Sequence, residues 1–183
     1  MRKLDRKGFT LIELLAVITI LGILMIVAIP AVQRTIENSR KNTFLSTAKQ
    51  YANEVKTTWA ADEIRCGDVS SGNVAADTYY VPIQTEPATT GDGKTGYDNY
   101  QYLISNGGKS SWGNNNLYGY VEITSTGTSK KLTTKVKLCD GTHGIATAKD
   151  FDKLIRTDVI VSGCSDKTLY PTGKQDKVCV VVE

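Results

Sequence analysis

The sequence predicts an α+β chain: a long N-terminal α-helix, membrane-spanning in its first half and amphipathic in its second, packed on an antiparallel β-sheet head. Three observations carry this. From Phe9 to Ile29 run 21 residues of which only Thr10, Glu13 and Thr19 carry polar side-chain groups. From Ala31 to Cys66 there is neither Gly nor Pro, and apolar residues recur at helical steps. After Gly67 the composition turns to Gly, Ser, Thr, Asn and Tyr in short alternating runs.

At about 1.5 Å per residue the apolar run is roughly 30 Å long, the thickness of a bilayer's hydrocarbon core. Its one carboxylate, Glu13, is costly in lipid, and an intramembrane acid marks a functional position that needs a partner. A secretory signal peptide is the plain rival. It would have a shorter apolar core and small residues at a cut site behind it, whereas this run closes on Ala28-Ile29-Pro30-Ala31. A simple signal anchor has the right hydropathy but leaves Glu13 unexplained. Pro30 removes a helix hydrogen bond and predicts a bend, and Gly22 weakens helical preference.

The amphipathic half follows from Val32, Ile36, Phe44, Ala48, Tyr51, Val55 and Trp59, with Leu45 and Ala52 beside them, on one stripe. Arg34, Glu37, Lys41, Lys49, Glu54 and Lys56 occupy the other face, with Glu37 and Lys41 at the supportive i, i+4 spacing. The helix is expected to reach about Ile64 and end before Gly67, a combined rod on the order of 80 Å. The domain plan is a leader over 1–8, a transmembrane and assembly helix over 9–30, and a head over 31–183, of which 31–66 is helix and 67–183 is loop- and strand-rich. No internal repeat or second domain is evident.

In the head, 68–77 reads as loop and Tyr79-Tyr80-Val81 as a short extended piece ended by Pro82. Thr85 to Gly96 reads as loop. Tyr97–Ser105, Leu117–Ser125, Leu132–Leu138, Asp158–Ser162 and Val178–Val182 are strand candidates, punctuated by Asn106-Gly107-Gly108 and Gly113-Asn114-Asn115-Asn116. Thr147 with Asp150 three residues on predicts a capping box opening a short helix through Phe151, Leu154 and Ile155. The tyrosines at 97, 100, 102, 118 and 120 read as packing on sheet faces.

Charge limits the partners. The chain holds 22 Lys and Arg against 19 Asp and Glu. Four of the basic residues (Arg2, Lys3, Arg6, Lys7) and one acid (Asp5) lie in Met1–Gly8, so without them the counts balance. The basic excess is a topology signal that keeps the amino end cytoplasmic. It gives no support to nucleic-acid binding, which calls for basic residues in the folded part.

The basic leader, Gly8-Phe9-Thr10-Leu11-Ile12-Glu13-Leu14-Leu15, and an apolar helix closing on Pro30 together resemble the amino terminus of type IV pilins and pseudopilins. The resemblance is dense over Lys7–Pro30 and fades by about Asp62, covering about a third of the chain. It implies a pilin-like fold, cleavage by a prepilin peptidase between Gly8 and Phe9, and N-methylation of the new Phe9 amine. It implies that Glu13 pairs with the Phe9 amine of a neighbouring subunit as a homopolymer filament grows from a membrane assembly platform. A cation and a carboxylate each lose hydration in hydrocarbon, and pairing offsets part of that loss. The same pairing sets the axial stagger between otherwise uniform apolar helices. The stretch between Gly22 and Pro30 is implied to lose helical order in filaments.

The four cysteines, Cys66, Cys139, Cys164 and Cys179, lie in the exported part, where disulfides are permitted. Four cysteines allow three connectivities. The resemblance to the carboxy-terminal disulfide loop of pilins favours Cys164 with Cys179, leaving Cys66 with Cys139. A metal site is disfavoured: no C-x-x-C occurs, and His143, the sole histidine, reads as a solvated loop residue. Some pseudopilins hold calcium in a head loop, which would fall here on Asp92 and Asp98 or on Asp166 and Asp176, but their spacing lacks a calcium-loop pattern. Gly91-Asp92-Gly93-Lys94-Thr95 lacks the earlier glycine of a phosphate loop, since Ala88 stands there. The expectation is a structural protein with no enzymatic site and no cofactor. It is a pilus subunit for adhesion, motility or DNA uptake or, alternatively, the major pseudopilin of a type II secretion-type machine.

Overall fold

The computed structural model describes residues 9–66, 69–70, 74–84, 109–114, 117–126, 132–165 and 168–181. The helix α1 spans Leu11–Ala60. The chain divides into two compact units between Ser39 and Arg40, a point inside α1. Among its described residues the first unit is α1 as far as Ser39, which begins with the apolar stretch.

Among the described residues the second unit holds α1 from Arg40 onward and the strands β1 (Ile64–Cys66), β2 (Val69–Ser70), β3 (Thr78–Gln84), β4 (Tyr118–Thr124), β5 (Thr133–Cys139), β6 (Gly144–Asp150) and β7 (Cys179–Val181). They form a three-stranded sheet in the order β2-β1-β7 and a four-stranded sheet in the order β3-β4-β5-β6, with every pairing of named strands antiparallel. The helix-on-antiparallel-sheet arrangement is the α+β class that the sequence predicts.

The stripe on α1 is buried at Phe44, Ala48, Tyr51, Ala52, Val55 and Trp59. It packs against alternate residues of the larger sheet: Tyr79, Val81 and Ile83 of β3, Val121 and Ile123 of β4, Val136 and Leu138 of β5, and Ile145 of β6. Period-2 alternation puts one side chain in two on that face, and Trp59 meets Tyr79 at 5.8 Å between ring centroids. Tyr80 and Tyr120, on the other face, meet edge to face at 5.5 Å. Tyr118 and Tyr120, the described members of the set expected to pack on sheet faces, are buried, as are Tyr79 and Tyr80 of β3. Tyr97, Tyr100 and Tyr102 lie outside the described residues, as do the 97–105 strand candidate and the 85–96 loop. Val32 and Ile36, assigned to the same stripe from sequence, are exposed.

Several expectations are corrected. The helix ends at Ala60, not near Ile64. Asp62 turns left-handed (φ 63°), and the amides of Asp62 and Glu63 donate back to the carbonyls of Trp59 and Thr58 at 3.2 and 3.1 Å. This Schellman closure satisfies the last carbonyls of α1, and Ile64 then enters β1 fully buried. Pro82 does not stop its strand. It lies within β3, an edge strand of the four-stranded sheet, where a missing amide costs no ladder bond on the outer side. Val69–Ser70, read as loop, pairs with β1.

Thr147 does not cap a helix, because Gly144–Asp150 is strand. The capping residue is Asp150 itself, whose carboxylate accepts from the Asp152 amide at 3.1 Å and opens a single 3-10 turn, Phe151–Lys153. Asp158–Ser162 is not a strand: Arg156–Asp158 is a second 3-10 turn, and only Ile160 bridges, to Gly144. Asp158 is held there by the amide of Ile155 and the ammonium of Lys149, which favour a turn over extension.

The disulfide pairing expected from the resemblance is also overturned. Cys66 bonds to Cys179, and Cys139 to Cys164. The strand order explains it. Cys66 and Cys179 are directly opposed residues of β1 and β7, while Cys139 closes β5 beside the 163–165 segment, where the Cys164 amide donates to the Thr142 carbonyl at 2.9 Å.

Candidate functional site

The site singled out from sequence lies at the start of α1. Thr10 precedes the first helical residue, Leu11, and Glu13 is the third. The Thr10 amide donates to Glu13 Oε2 at 2.9 Å and the Thr10 hydroxyl to the same oxygen at 2.7 Å. The Glu13 amide in turn points at Thr10 Oγ1 at 3.3 Å. This reciprocal capping box satisfies two of the amides that a helix start leaves without partners. The spacing Thr-Leu-Ile-Glu is the local sequence signal for this cap. Among the described residues no donor reaches the second carboxylate oxygen, Oε1.

Around this polar point the helix surface is open and oily. Phe9 is 86% exposed and Leu11 84%, and the large apolar side chains from Ile12 through Ile29 are likewise exposed. The stretch is long and apolar enough to cross a membrane, and none of it is buried within the chain. Its other hydroxyl, that of Thr19, donates to the Ala16 carbonyl at 2.8 Å, so it makes no demand for an outside partner. At Gly22 an added Cβ would meet nothing within 4 Å, and Pro30 lies inside the helix. Gly22 is therefore not required by packing within one copy.

The head contains a second cluster, which sequence reasoning missed because its members are separated by up to 33 residues. The buried carboxylate of Asp140 accepts from the Ser110 hydroxyl and from the amides of Thr142 and His143, at 3.0 and 2.7 Å for the amides. His143 Nδ1 lies 3.2 Å from it. The imidazole stacks on Trp112 at 4.3 Å, and Trp112 tilts against Phe44 of α1 at 5.7 Å. Ser111 Oγ donates to the Arg40 carbonyl at 2.8 Å. His143 is thus a half-buried packing residue, which corrects its reading as a solvated one. Burial raises the Asp140 carboxyl's pKa, but the donors from Ser110, His143 and Thr142 outweigh this and hold it below the usual aspartate range.

Serine, aspartate and histidine together invite a test against hydrolase chemistry. A nucleophilic serine must give its proton to histidine. Here the Ser110 proton goes to Asp140, and the imidazole lies flat on Trp112. The arrangement fastens the 109–114 turn to the β5–β6 turn. Among the described residues no three or more His, Cys, Asp or Glu side chains gather as a metal site. Asp92, Asp98, Asp166 and the 91–95 segment lie outside the described residues. Asp176 is exposed beside Lys177 in a 3-10 turn.

Residues 3–29 match the family model described as the prokaryotic N-terminal methylation motif. That motif is the class III signal peptide found in type IV pilins and pseudopilins; the match covers the start of the chain and supports a precursor of that type. No curated protein and no solved structure matches the chain. The motif implies processing by a prepilin peptidase and passage into type IV pilus-like machinery, and it agrees with membrane anchoring before assembly.

Proposed function

We propose that this chain is the structural subunit of a type IV pilus filament, serving adhesion, motility or DNA uptake, and that it has no enzymatic or cofactor-dependent role. Its precursor sits in the cytoplasmic membrane with the amino end inside. It is cut between Gly8 and Phe9, methylated on Phe9, and polymerised through the helix, with heads outward on an extracellular fibre. The observation that carries the reading is the exposed apolar surface from Phe9 to Ile29 around one carboxylate, Glu13. Exposed apolar area of this extent demands lipid or other copies of itself, and a carboxylate within it demands a cation. The methylated Phe9 amine of an adjacent subunit keeps its positive charge and supplies one. Gly22 and Pro30 are the positions at which the helix yields under axial load.

The alternative is the major pseudopilin of a type II secretion-type machine, a short periplasmic or wall-spanning piston. Two disulfides in the head favour the surface fibre, where a subunit faces shear and proteases. Electron microscopy of fibres sheared from cells, with mass spectrometry of the subunit, separates the two. Long surface fibres whose first residue is methylated Phe9 are expected. Absence of surface fibres, with export of other proteins lost on deletion, would replace the pilus by the pseudopilus.

A further inference from the structure

The β5–β6 turn, residues 140–143, is held on one side by a disulfide and on the other carries a grip on α1. Cys139 closes β5 just before the turn and bonds to Cys164, and both residues are fully buried. The Cys164 amide donates to the Thr142 carbonyl at 2.9 Å, and Gly144 and Ile160 exchange backbone bonds at 3.0 and 2.9 Å. The 160–164 segment thus fixes the turn at both ends, covalently at Cys139. On the far side, the Asp140 carboxylate accepts from the Ser110 hydroxyl, and the Asp140 carbonyl accepts from Asn114 Nδ2 at 3.2 Å. The 109–114 turn held in this way reaches α1 twice. Ser111 Oγ donates to the Arg40 carbonyl at 2.8 Å, and Trp112 packs on Phe44 at 5.7 Å. Phe44 is the first buried residue of α1, so the grip falls where the head's cover of the helix begins. A packed helix opens most easily from such a margin, where few buried contacts oppose it.

We propose that the Cys139–Cys164 disulfide is a conformational device: it sets the β5–β6 turn so that Asp140 holds the 109–114 turn on α1, and without it α1 opens locally over 40–48. The link runs through the turn itself. The Asp140 carboxylate is aimed by the amides of Thr142 and His143, at 3.0 and 2.7 Å, and those amides are in place only when the turn is. Forming the bond takes two electrons and two protons from the two thiols, and a protein disulfide of the exported compartment accepts them and becomes a dithiol. The head is therefore loose at the start of its helix cover while reduced and closed there once oxidised. From the proposed function this takes only the exported location of the head.

The test is amide hydrogen exchange, read by mass spectrometry on the full chain in detergent. It compares wild type with Cys139→Ser/Cys164→Ser, Cys66→Ser/Cys179→Ser and Ser110→Ala. Amides that exchange through local opening report the local contacts and not the stability of the whole head. Protection over 40–48 is expected to fall about tenfold or more without Cys139–Cys164 and in Ser110→Ala, the scale of one hydrogen bond to a charged group. It is expected to stay within about threefold of wild type without Cys66–Cys179, although that bond closes the longer loop. Ser110→Ala keeps both disulfides and carries the test where a cysteine variant does not fold. Wild-type protection over 40–48 in either Cys139→Ser/Cys164→Ser or Ser110→Ala would overturn the proposal. An equal fall without Cys66–Cys179 would overturn it too, since 40–48 would then follow overall stability. No filament is read in this experiment, so its failure leaves the pilus reading standing.

Discussion

Cys66 and Cys179 are directly opposed residues of the antiparallel β1–β7 pair, and their disulfide joins the strand that follows α1 to a strand near the carboxyl end of the chain. The bond closes a loop with a sequence separation of 113, whereas Cys139–Cys164 spans 25. On the chain-entropy account the longer loop contributes about 5 kcal/mol and the shorter about 3.5 kcal/mol. The double variant Cys66→Ser with Cys179→Ser is therefore expected to lose more stability than Cys139→Ser with Cys164→Ser. Denaturant unfolding of the detergent-solubilised protein, followed by tryptophan fluorescence, reads the order. The reverse order would show that native packing around Cys139, not loop closure, governs.

Thr134 is 3% exposed on the core face of β5, and its hydroxyl has no hydrogen-bond partner among the described residues. Replacing an orphaned buried hydroxyl by a methyl of the same shape removes a desolvation cost. Thr134→Val is expected to stabilise the head by about 1 kcal/mol, seen as a higher denaturation midpoint at unchanged slope.

Acid sensitivity follows from Asp140. Its carboxyl is depressed in the folded state, so it contributes stability that is present above the ordinary aspartate value of about 3.9. That stability is lost as pH falls from there through the folded value. Asp158 and Asp77, held by Lys149 and Lys177, act with the same sign. Asp140→Asn is expected to be less stable at pH 7 and to show a shallower fall in Tm below about pH 4. A parallel fall in both proteins would contradict the role of this carboxylate.

Gly144 opens β6 with φ +143°, and a Cβ there would overlap the Leu138 carbonyl. Neither the backbone angle nor the neighbouring strand can yield cheaply. Gly144→Ala is expected to cost more than about 2 kcal/mol, measurable in the same unfolding experiment.

These predictions also mark where the chain was legible from its residues. The helix, β4, β5 and β7 were visible because each rests on local periodicity, either 3.6 along Phe44–Trp59 or 2 along Tyr118–Thr124. Glu13 was visible because charge in a long apolar run is rare. The cysteine pairing was not legible: it depends on β7 returning to lie beside β1, a long-range choice with no local signature. Nor could sequence distance reveal that Ser110, Asp140 and His143 meet. Pro82 misled because proline stops a central strand but not an edge strand, and edge position is a property of the assembled sheet. Thr147 misled because a capping spacing also occurs by chance in a polar strand.

The central claim is that Glu13 drives polymerisation of a processed, membrane-held subunit. It is tested most directly by expressing the full chain with Glu13→Gln and measuring two things in the same cells: the N-terminal mass of the subunit and the sheared fibres by electron microscopy. The account predicts a subunit that begins at Phe9 yet forms few or no fibres. Normal fibres from this variant would contradict it.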